Sequence, residues 1–69
     1  MSVNYFISGD ILVERILKAI PEHPEILTLD SPFGLYKIPN LKMDDLELTL
    51  GTASAALGIA RKRWLESKS

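Results

Sequence analysis

The side chains that could do chemistry fall in three places. His23 is the only histidine. It sits between Glu22 and Pro24, with Glu25 close behind. Asp44, Asp45 and Glu47 form an acidic group, and Arg61, Lys62 and Arg63 form a basic run with Lys68 nearby. A catalytic base needs a polarising partner and a pocket that holds substrate against it. A histidine bracketed by Pro21 and Pro24 reads instead as a surface loop residue. Glu22, His23 and Glu25 offer ligand atoms, but they follow neither zinc nor EF-hand spacing, so no metal site is expected. Asp44-x-x-Glu47 has the form of a capping box with Asp as the cap, and acids at a helix start are stabilised by its unpaired amides without any catalytic role. No glycine-rich phosphate loop is present. A nucleophilic triad would need a deeper pocket than so short a chain can house. The reading is a protein that is not an enzyme, holds no cofactor and takes no small-molecule substrate.

The chain has 69 residues and no cysteine. That length gives one domain, residues 1–69, whose single small core leaves stability marginal. Without cysteine there is neither a disulfide framework nor a thiolate metal site, and a small domain lacking such staples suits a reducing, cytoplasmic setting. Val3 to Ile7 is too short for the apolar stretch of a secretion signal, and Asn4 interrupts it. The longest weakly polar run, Leu48 to Ala60, has 13 residues. About 20 are needed to cross a bilayer, so no membrane span is expected. Net charge is −1, but it divides into −4 over residues 1–50 and +3 over residues 51–69. A split of this kind points to an oriented partner.

Periodicity supplies the elements that must position these groups. Val3 to Ile7 is β-branched and aromatic and predicts a short strand. Ser8-Gly9-Asp10 then breaks it, with Asp10 as the cap of a helix. Ile11, Leu12, Val13, Ile16, Leu17, Ala19 and Ile20 recur at helical spacing until Pro21 stops the helix. Leu27 and Leu29 alternate. Ser31-Pro32-Phe33-Gly34 fits a type I turn, and Leu35 to Ile38 reads as the returning strand of a hairpin that Pro39 ends. Leu46, Leu50, Ala53, Leu57, Ala60 and Trp64 then form one apolar helical stripe. The expected fold is α+β: a small βαββα domain with a short antiparallel hairpin, an N-terminal strand and two helices packed on one face.

Ala53 to Trp64 carries the functional reading. Its small residues, then Leu57-Gly58-Ile59, then Ala60-Arg61-Lys62-Arg63, resemble the helix-turn-helix of bacterial regulators. The resemblance spans residues 50–67. It implies a tight turn at Gly58 and a second helix offering Arg61, Lys62 and Arg63, assisted by Lys68, to DNA. Ser54 stands where that motif usually has Ala, and Ala60-Arg61 where Ser or Thr often opens the second helix. The same letters also suit one amphipathic helix from Asp45 to about Glu66. In that case Gly51, Ser54, Ala55, Ala56, Gly58 and Ala60 are small so that the helix can lie close to a neighbour, and the cations simply complement the helix C-terminus. The leading reading is a small regulatory or assembly protein. It would act through protein contacts of the C-terminal helix, either with another protein or as a homodimer. Phe33, Ala55 and Gly58 are the interface candidates. DNA, bound by Arg61, Lys62, Arg63 and Lys68, is the alternative partner.

Overall fold

The computed structural model describes residues 4–39, 41–46 and 48–68, with side chains from Gly9 onward. Helix α1 runs Asn4–Ala19 and helix α2 runs Leu50–Lys68. Three short 3₁₀ turns, Pro24–Thr28, Pro32–Lys37 and Met43–Asp45, lie between them. Among the described residues there is no strand, so the βαββα expectation is corrected to a small all-helical domain of two packed helices.

Each departure has a local cause. Residues 4–7 continue into α1, and Gly9 and Asp10 lie inside that helix rather than at a break. Strand propensity is a weak prior that tertiary packing overrides. Gly9 lies beside α2 with room for a side chain, since an added Cβ would be 3.6 Å from Thr52 Cγ2, an ordinary contact. The expected hairpin is replaced by turns that begin at prolines. Pro24 and Pro32 each hold the first turn position, where a fixed φ near −65° favours a helical start and the missing N–H is not needed. The Ser31 hydroxyl accepts a hydrogen bond from the Phe33 amide at 3.2 Å. In a 3₁₀ turn, residues three apart share a side. Leu35 and Ile38 accordingly both face the core.

The core joins α1 to α2 and is closed by the connector between them. Leu12, Val13, Ile16, Ala19 and Ile20 come from α1, and Ala53, Ala56, Leu57 and Ala60 from α2. Ile26, Leu35, Ile38, Leu41 and Met43 complete it. Three alanines on the inner side of α2 let the helix backbones approach closely. Leu46 and Trp64 pack at the margin, whereas Leu50, expected in the stripe, is 52% exposed and does not join the core.

The start of α2 also differs from expectation. Asp44 and Asp45 belong to a separate 3₁₀ turn, entered through Lys42 in a left-handed conformation with φ 50°. Glu47, the other half of the expected capping box, lies outside the described residues. Thr49 takes the capping role. Its hydroxyl accepts from the Thr52 amide at 3.1 Å, and its carbonyl accepts from the Ala53 amide at 3.0 Å. Thr49→Ala should therefore lower stability by about 1 kcal/mol, measured by urea unfolding. An unchanged midpoint would mean that α2 starts elsewhere.

Candidate functional site

Gly58 decides how the C-terminal segment is built. No glycine in the chain has positive φ, and α2 continues from Leu50 to Lys68 without interruption. The turn that a helix-turn-helix needs at Gly58 is not formed, and residues 50–68 are one rod. Burial then sorts the residues of that rod. Ala53, Ala56, Leu57 and Ala60 face α1, while Gly51, Ser54, Ala55, Gly58, Lys62 and Leu65 are exposed on the other side. Of the small residues expected to allow close approach, Ala56 and Ala60 do so within the chain, and Gly51, Ser54, Ala55 and Gly58 do not.

The outer side of α2 is apolar at both ends. Leu65 is 60% exposed and Leu50 52%. Toward α1 the surface falls into a groove of 450 Å³, walled by Val13, Ala55, Ala56 and Ile59 and floored in part by Gly9 and Gly51. Asp10, Thr49 and Thr52 supply its polar rim. Ile59, 45% exposed, forms the edge where groove and outer face meet. Thr49 and Thr52 are hydrogen-bonded to each other through their hydroxyls at 3.0 Å, which leaves the Asp10 carboxylate as the formal charge at the groove.

The interface candidates separate. Ala55 lines the groove and Gly58 lies on the outer face of the same helix. Phe33 is 63% exposed on the Pro32–Lys37 turn, beside Tyr36 at 62%. Three residues apart on a 3₁₀ turn, these two rings form a ridge of their own.

The basic candidates separate too. Arg61 is turned toward the connector. Its Nε donates to the Ile26 carbonyl at 3.1 Å, and Nη2 donates to the Leu29 carbonyl. Lys62 and Arg63 are exposed. Lys68 lays its ammonium 4.6 Å from the centroid of the Trp64 ring, a cation–π contact. His23 is half-buried, with Nδ1 3.4 Å from Glu25 Oε2. Among the described residues no three His, Cys, Asp or Glu side chains converge as a metal site would require, and no helix is long and apolar enough to cross a membrane.

Sequence reasoning missed Arg15. From α1 its Nη1 donates to the Leu41 carbonyl at 3.2 Å and to the Lys42 carbonyl. The guanidinium also grips Asp45 through two bonds, Nη1 to Oδ1 at 2.8 Å and Nη2 to Oδ2 at 3.0 Å. The partners are 26 to 30 residues away in sequence, so local pattern carried no signal for them. Asp45, expected as a helix cap, is instead the carboxylate of this fork.

No family model matches the chain, and no curated protein and no solved structure is found to be similar to it. Any functional reading therefore has to rest on the molecule's own surface.

The Arg15–Asp45 fork has a pH signature. Hydrogen bonding from Arg15, then its charge, holds the Asp45 carboxyl below its ordinary value. A carboxyl depressed on folding adds stability above its unfolded pKa, about 3.9, and that stability is lost as pH falls through the folded value. Asp45→Asn should be less stable than the parent at pH 7 and should lose less on going to pH 3, measured by urea unfolding at both. Parallel pH profiles would show that the fork contributes nothing.

Proposed function

We propose that this domain is a protein-interaction module whose contact surface is the outer face of α2 with the adjoining groove, and whose partner presents an apolar helical face. Gly58 carries the reading. Glycine inside an exposed helix costs about 1 kcal/mol relative to alanine. A Cβ built there meets nothing within 4 Å, so nothing inside the chain calls for its absence. A second helix crossing at that point would, because small residues let helix axes come closer than larger side chains allow. Leu50, Ile59 and Leu65 flank the position with exposed apolar surface, and its removal from water would drive association.

Duplex DNA is the second reading. One specific observation favours it: Lys62 and Arg63 are exposed on a helix of the size that a major groove admits. The contact would be made by the unbroken rod rather than by the second helix of a turn motif. Arg61, already bonded to two connector carbonyls, would contribute little. The reading ranks second because it leaves the exposed leucines of α2 without a use.

A photo-cross-linking residue at position 55 should give protein adducts in the native cells, and one at the exposed Glu14 of α1 should not. Gly58→Leu should suppress the adducts from position 55. Absence of adducts, together with retention on duplex DNA that falls steeply with added salt, would replace the first reading with the second.

A further inference from the structure

We draw no further inference here: the strongest candidate, the exposed face of α2 around Gly58 with the groove that adjoins it, is a stripe of small residues beside the exposed Leu50, Ile59 and Leu65, and nothing in the structure shows what covers it.

Discussion

A connector that folds without strands must still find donors for its peptide carbonyls, because a buried carbonyl left unpaired costs about 1–3 kcal/mol. Between Ala19 and Leu50 the described backbone forms only short 3₁₀ turns, whose own hydrogen bonds are few. Two arginines, one from each helix, donate to four of the connector's carbonyls. Arg61 bonds the carbonyls of Ile26 and Leu29, and Arg15 bonds those of Leu41 and Lys42 together with the Asp45 carboxylate. A planar guanidinium with five donors can serve two carbonyls on different residues at once, which a lysine ammonium does less well. Each arginine thereby ties its helix to a stretch of chain far away in sequence.

The bonds of Arg61 agree with the rotation of α2 that its buried stripe sets. With Arg61 on the connector and Ala53, Ala56, Leu57 and Ala60 against α1, the opposite side of the helix faces outward. That side bears Gly58 and Lys62 with Leu65 beside them, whereas Arg63 is exposed on the flank next to Ala56 and Ala60. The basic run is thus divided by the fold: one member stabilises the connector, and its neighbours remain at the surface. The small residues divide in the same way, with Ala53, Ala56 and Ala60 serving contact inside the chain and Gly51, Ser54, Ala55 and Gly58 exposed.

Much of this arrangement was legible in the letters. The inward positions of α1 from Leu12 to Ile20 and the stop at Pro21 follow from helical period and proline geometry. The stripe Ala53, Leu57, Ala60, Trp64 does so as well, and the single-helix alternative for the C-terminal segment was open from the start. The strands were misread for a physical reason. Leu27 and Leu29 alternate, but Ile26 is the fully buried residue there, and Leu35 with Ile38 satisfies a period of three as readily as a strand end. Short apolar runs do not distinguish these periods, and Pro24 was read as part of a stiff loop and Pro32 as part of a hairpin's type I turn rather than as first positions of 3₁₀ turns. The arginine clamps could not be read at all, because their partners are peptide carbonyls, which every residue carries. Of the proposed surface, Ala55 and Gly58 were candidates on size alone, whereas the groove and the rim position of Asp10 depend on how α1 and α2 meet.

The most direct test of this account is the unfolding free energy of Arg61→Met beside that of Lys62→Met, measured by denaturant titration. The methionine keeps most of the apolar stem and removes the donors. Arg61→Met should destabilise by about 2–3 kcal/mol as two carbonyls lose a charged donor, and Lys62→Met should stay within about 0.5 kcal/mol of the parent. Equal effects at the two positions would contradict it, because Arg61 would then be one more surface cation rather than the tie between α2 and the connector.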